Sequence, residues 1–161
     1  MRFIAIIVTV LLLTGCYPGV TTQQMIKDTE GYQLPIKAPT DQGLIYVVRP
    51  SSLYGIFKYN IYLDGREDNA WIGYNRGYQY VYFIVKPGTH TLASQAENWD
   101  EITFDIHSGQ VIYFIQEASW GVLFGQHELK KLNRVEGKYY IKHANLGTIL
   151  KTTPTTTKQP N

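Results

Sequence analysis

The chain predicts an all-β fold: a small antiparallel β-sandwich of about seven to nine strands with one short C-terminal helix. Three observations carry this. Short runs of β-branched and aromatic residues recur at spacings of about ten residues from Gly43 onward, separated by Gly and Pro turns. The composition is 44% hydrophobic and 17% charged, with 14% aromatics and thirteen tyrosines, which suits a packed β-rich domain better than a disordered chain. Only one stretch, near the C-terminus, offers a helical alternative.

Taken in order, the chain begins with Arg2 and the apolar run Phe3 to Leu13, broken only by Thr9. That is the length of a secretory h-region and too short to span a bilayer comfortably. Residues 1–15 are therefore expected to be a signal peptide. The run closes on Leu13-Thr14-Gly15-Cys16, and this tetrapeptide resembles the lipobox of bacterial lipoproteins. The resemblance implies cleavage before Cys16 and a diacylglycerol and N-acyl chain on that residue. One acyl chain binds a membrane marginally and two or more hold stably, so the protein would be anchored rather than spanning. Tyr17, in the place where an aspartate favours inner-membrane retention, points to the outer membrane, facing the periplasm. Residues 16–42 contain Pro35 and Pro39 and no sustained period of 2 or 3.6, and read as a tether, with Tyr32 to Ile36 able to pack on the domain as an arm.

Residues 43–146 read as the folded domain. Leu44 to Arg49 is apolar on both parities, as expected of a strand covered on two sides, and Pro50 ends it. Tyr59 to Leu63 alternates and runs into Asp64-Gly65, a tight turn in which the glycine is expected to take positive φ. A short strand near Trp71 to Tyr74 answers it. Tyr78 to Val85 is the next strand, and Lys86-Pro87-Gly88 turns the chain into Thr89 to Ala93. Glu97 to Asp100 reads as a loop, Ile102 to Ile106 as an alternating strand, and His107-Ser108-Gly109 as a turn. Val111 to Gln116 is a buried strand. Ser119 to Gln126 is a glycine-rich hairpin or loop ending in a short strand around Glu128 to Leu132. Val135 to His143 is the helix, weakened by Gly137. Residues 147–161 form a Thr/Pro-rich tail expected to be disordered.

The succession of Gly43 to Pro50, Ile61 to Gly65, Val85 to Leu92 and Ser108 to Phe114 is similar to a domain of unknown function found in many bacterial lipoproteins. Its middle also resembles the PEGA-type β-sandwich repeat, where a DG turn and a PGxH turn bracket the strands. Together these resemblances imply a small sandwich on a lipid anchor. They bring no family activity and no catalytic residues.

Charge and chemistry narrow the function further. The formal net charge is +2, and +1 once Arg2 leaves with the signal, too small for a nucleic-acid partner. Cys16 is the only cysteine, which excludes a disulfide, a thiolate metal site and a cysteine nucleophile once it is acylated. His90, His107, His127 and His143 lack ligand spacing, so no metal and no cofactor beyond the acyl groups is expected. No nucleophile elbow, phosphate loop or paired carboxylate motif occurs, and the chain is read as no enzyme. Tyr78, Tyr80 and Tyr82 share one strand face opposite Val81, Phe83 and Val85. With Trp99 and Trp120 in predicted loops, Tyr78 and Tyr80 form the candidate binding surface. Lys130, Lys131, Arg134, Lys138 and Lys142 cluster and read as a solvated helix face, with anionic headgroups as the alternative partner.

The expectation is thus a non-enzymatic, lipid-anchored lipoprotein of the cell envelope that binds a protein or envelope component. A glycan- or peptidoglycan-binding module using exposed aromatics is the alternative, and an envelope hydrolase the third reading.

Overall fold

A computed structural model describes residues 19–151. The signal segment, Cys16 and residues 152–161 lie outside the described residues. Among the described residues ten strands form two five-stranded sheets packed face to face, the β-sandwich that the strand pattern predicts. The first sheet runs β8 (Gln126–Leu132), β7 (Val111–Ser119), β1 (Gly43–Arg49), β4 (Gln79–Val85) and β9 (Asn145–Leu146). The second runs β10 (Thr148–Ile149), β3 (Trp71–Asn75), β2 (Tyr59–Leu63), β5 (Gly88–Gln95) and β6 (Trp99–Ile106). Strands β9 and β10 have two residues each, too short to leave a pattern in the sequence. Pairing is mostly antiparallel, but β1–β7 and β4–β9 are parallel. The β1–β7 pair is possible because β2 to β6, four of them strands of the second sheet, lie between β1 and β7 in the chain, a crossover long enough to bring β7 back in the same direction.

Alternation sorts the side chains. From the first sheet Ile45, Val47, Val81, Phe83, Ile112 and Phe114 face inward, and from the second Ile61, Leu63, Ile72, Leu92, Phe104 and Ile106 meet them. Each fully buried large side chain of this kind contributes about 1.5–3 kcal/mol. The other parity of β1, namely Leu44, Tyr46 and Val48, lies under a second layer built from Ile141, Leu34, Ile36 and Ala38. This explains why β1 is apolar at every position from Leu44 to Val48: both faces of the first sheet are covered.

That cover comes from two segments. Helix α1 (Thr22–Asp28) starts with a capping box in which Thr21 and Gln24 exchange hydrogen bonds, and Met25 is its buried residue. The stretch read as a tether is therefore structured from Thr22, and the arm that follows docks through Tyr46, whose hydroxyl meets both Ile36 N (3.0 Å) and Ile36 O (3.2 Å). Helix α2 (Arg134–Lys142) is capped by Asn133 and Glu136. The two helices are joined where Asp28 accepts from His143 Nε2 (2.8 Å) and pairs with Lys142 (3.2 Å). Those two neighbours hold the Asp28 carboxyl below the usual carboxylate range, His143 most.

Gly137 is required by packing, whatever it costs in helix propensity. A Cβ there would lie 2.3 Å from the Tyr113 ring, so the glycine lets α2 lie flat on the sheet. Gly137→Val is expected to destabilise the fold by about 1–3 kcal/mol through overpacking, read as a lowered urea midpoint.

The turns depart from expectation in one instructive place. Asp64, not Gly65, takes positive φ (58°), and its carboxylate accepts from Thr91 N (2.9 Å) and contacts His90 Nδ1 (2.7 Å). His90 Nε2 meets Lys86 O at 2.9 Å, so one imidazole ties the DG turn to the PGxH turn. An aspartate tolerates the left-handed region and gains these bonds there, which glycine would not. The open sides of the sandwich are also closed. Asn98, in the bend before β6, and Asp100 of β6 bond the backbone of His127 and Leu129 in edge strand β8, and Gly147 carries the chain from one sheet to the other between β9 and β10.

Candidate functional site

At the end of the sandwich where β1 finishes, the interior turns polar. Arg49, Asn75, Ser94, Gln116 and His127 are all buried. Asn75 Nδ2 donates to Val47 O (2.9 Å) and Gln116 Oε1 (3.0 Å), and Gln116 Nε2 donates to Ser94 Oγ (2.7 Å), a polar bridge through the core. Arg49 lies 3.4 Å from the centroid of the Tyr59 ring. Among the described residues its guanidinium pairs with no carboxylate; it donates to Phe57 O (2.8 Å), Leu53 O (2.7 Å) and Tyr54 O (2.9 Å). Burial lowers its pKa from the ordinary guanidinium value, yet an arginine stays cationic throughout the physiological range. The charge is thus spent on three backbone carbonyls of loop 51–58, and it fixes that loop's shape.

A second loop, 120–125, is held against the first. Tyr54 Oη donates to Gly121 O (2.8 Å). Glu97 accepts from Val122 N (2.8 Å) and from Leu123 N, a carboxylate clamping two adjacent amides. Gly125 takes φ 81°, and a Cβ there would lie 2.4 Å from the Tyr54 ring, so only glycine closes this turn. Phe57 meets Phe124 edge-on at 5.1 Å between centroids, and Tyr54 meets Trp120 edge-on at 6.2 Å.

Such bracing would ordinarily serve a buried element, but this one faces water. Val122 is 90% exposed, Trp120 80% and Ile56 78%, with Leu123 and Phe124 beside them. A contiguous apolar crown of this kind, held rigid by hydrogen bonds beneath it, has the features of an interaction surface whose ordering cost is already met by the fold. Lys58 and Arg76 flank it, both within cation–π reach of Tyr74 (4.5 and 5.4 Å).

The four aromatic residues singled out from the sequence are not brought together. Trp120 stands at the crown. Tyr78 is half exposed in the turn 76–78, whose Gly77 N bonds Gly55 O (2.8 Å) at the same end. Tyr80 is only 7% exposed, beneath the α2 layer beside Tyr46, and has no free ring face to offer. Trp99 belongs to strand β6 rather than a loop; it packs on Tyr62 (5.1 Å) under Arg66 (4.8 Å) on the outer face of the second sheet. The tyrosine face opposite Val81 and Phe83 is thus covered for the most part, not an open ladder. Ile56, Val122, Leu123 and Phe124 were not singled out. The sign available was the run Trp120-Gly-Val-Leu-Phe-Gly125, apolar with no strand parity and bounded by glycines.

Among the described residues no group of three or more His, Cys, Asp or Glu is placed to hold a metal ion. No described helix is long and apolar enough to cross a membrane. Comparison with protein-family models and with curated proteins finds no match for the chain.

Proposed function

We propose that the protein is a lipid-anchored lipoprotein of the bacterial cell envelope, held by acyl groups on Cys16 in the outer membrane facing the periplasm. It is a non-enzymatic β-sandwich that binds a protein or another envelope component through the crown formed by loops 51–58 and 120–125. The observation that carries the binding half is the crown: Ile56, Trp120 and Val122 at 78–90% exposure on loops locked by Arg49 and Glu97. The lipobox-like Leu13-Thr14-Gly15-Cys16 carries the anchoring half. The distance to the membrane follows. Thr22, at which α1 begins, is six residue steps beyond Cys16, so the reach is at most about 20 Å at roughly 3.3–3.6 Å per residue. The domain would sit close to the lipid surface rather than stand off on a long tether.

Two experiments separate the halves. Growing cells labelled with radioactive palmitate are expected to incorporate it into the wild-type chain and not into Cys16→Ser, which should also leave the membrane fraction; equal labelling of both ends the anchoring reading. Crosslinking in intact cells from a photoreactive residue at position 122 is expected to trap a discrete partner, lost on Trp120→Ala with Phe124→Ala. The exposed indole of Trp120 favours one alternative, stacking on a sugar ring. Peptidoglycan co-sedimentation that disappears with Trp120→Ala, without any protein crosslink, would establish that alternative instead.

A further inference from the structure

A second site lies at the opposite end of the first sheet. The arm, the start of β7, the end of β8 and the first turns of α2 enclose a groove of about 490 Å³. Lys37, Lys131, Arg134 and Lys138 line it, and no Asp or Glu does. Several acids of the adjoining elements are engaged elsewhere. Glu136 caps its own helix at Asn133 N (3.1 Å), and Glu117 and Glu128 both pair with Lys130. Asp28 is held by Lys142 and His143. The basic cluster of the sequence is therefore divided: Lys130 and Lys142 are neutralised, while Lys131, Arg134 and Lys138 join Lys37 around the groove without an ion pair among the described residues. The floor is apolar, formed by Leu34, Val111, Tyr113 and Leu132.

We infer that this groove binds an anionic amphiphile, a phosphate or carboxylate head joined to an alkyl body. The four cations would take the head, and the floor the chain. The volume falls within the range of about 300–1,000 Å³ typical of small-molecule sites. An acidic peptide fits less well, because it would meet the four cations and leave the apolar floor of Leu34, Val111, Tyr113 and Leu132 without a partner. The site is independent of the crown and of what Cys16 carries.

The test uses the full chain purified in dodecyl maltoside and the probe octyl phosphate bearing a terminal diazirine. Irradiation followed by peptide mapping is expected to place the label on Leu34, Val111, Tyr113 or Leu132, even though neutral alkyl detergent is in excess. Octyl phosphate without the diazirine should compete. Lys131→Ala with Arg134→Ala should weaken labelling roughly tenfold or more by removing two charge-assisted contacts. Both side chains are exposed, so thermal unfolding should not change. The inference is overturned if label spreads over the surface, if the double variant labels like the wild type, or if inorganic phosphate or a hexaglutamate peptide competes as well as octyl phosphate.

Discussion

Replacing Arg49 by methionine is expected to destabilise the protein by about 2–5 kcal/mol, because it leaves two part-buried acceptors, Leu53 O and Phe57 O, without a donor. The side chain is fully buried, and Leu53 O and Phe57 O depend on it, whereas Tyr54 O also accepts from Phe57 N (3.0 Å). Each stranded carbonyl costs about 1–3 kcal/mol, and the lost contact with the Tyr59 ring adds up to about 2. Methionine fills the volume and removes the cost of burying a charge, which offsets part of the sum. Lysine keeps the charge, but a single ammonium cannot reproduce the fork that reaches two carbonyls from one nitrogen and a third from the other, so Arg49→Lys should recover less than half. Urea unfolding measures both variants. Limited proteolysis should show new cleavage within 51–58, and crosslinking from the crown should fall in parallel. A midpoint within about 1 kcal/mol of wild type for Arg49→Met would sink the assignment of Arg49 as the brace of the loop.

Arg49 also illustrates what sequence patterning reaches. A cation at the end of an apolar run, just before Pro50, reads as the point where a strand meets water, and only the return of loop 51–58 over it makes it interior. The two-sided cover of β1 was legible because every position of Leu44 to Val48 is apolar. What supplies that cover was legible only in part: the Tyr32 to Ile36 arm can be read from its apolar residues, whereas α1 is too short to show a period. Its one signal is the Thr21–Gln24 capping box, easily lost in a Thr- and Gln-rich stretch. Trp99 reads as a loop residue because Glu97 to Glu101 is mainly polar, yet β6 is an edge strand with one face wet, and polar residues are what such a strand carries there. The crown was hidden for the opposite reason. Apolar runs are ordinarily buried, and nothing local to Trp120–Gly125 distinguishes one that is presented to solvent; that distinction comes from Glu97 and Tyr54, 25 to 67 residues away.

Acid should weaken the same end of the sandwich through His127. Its ring is 3% exposed, 5.0 Å from the Tyr59 centroid, and neither nitrogen has a hydrogen-bond partner. Burial, with a smaller contribution from the Arg49 charge, pushes its pKa down to about 4 from the ordinary 6.5, against a partial upward pull from Asp100. The unfolded chain takes up this proton near 6.5 and the folded chain only near 4, so between those values the unfolded state binds more protons and stability falls as the pH drops. The contribution is complete above about 6.5 and lost by about 4, a change of about 3 kcal/mol. His127→Phe keeps a ring against Tyr59 and removes two unpartnered polar atoms. It is expected to hold stability at pH 7 or raise it by about 1 kcal/mol, and to flatten the unfolding free energy between pH 6.5 and 4 relative to the wild type. Urea titrations at half-unit pH intervals measure both slopes; a wild-type curve no steeper than that of His127→Phe in this window would mean that the buried imidazole does not control the acid stability of the loop end. Because Tyr59 lies between His127 and Arg49, and its hydroxyl reaches Gln126 O (3.3 Å), protonation here places a second positive charge beside the brace of the crown. The loops should therefore loosen in acid before the rest of the sandwich unfolds.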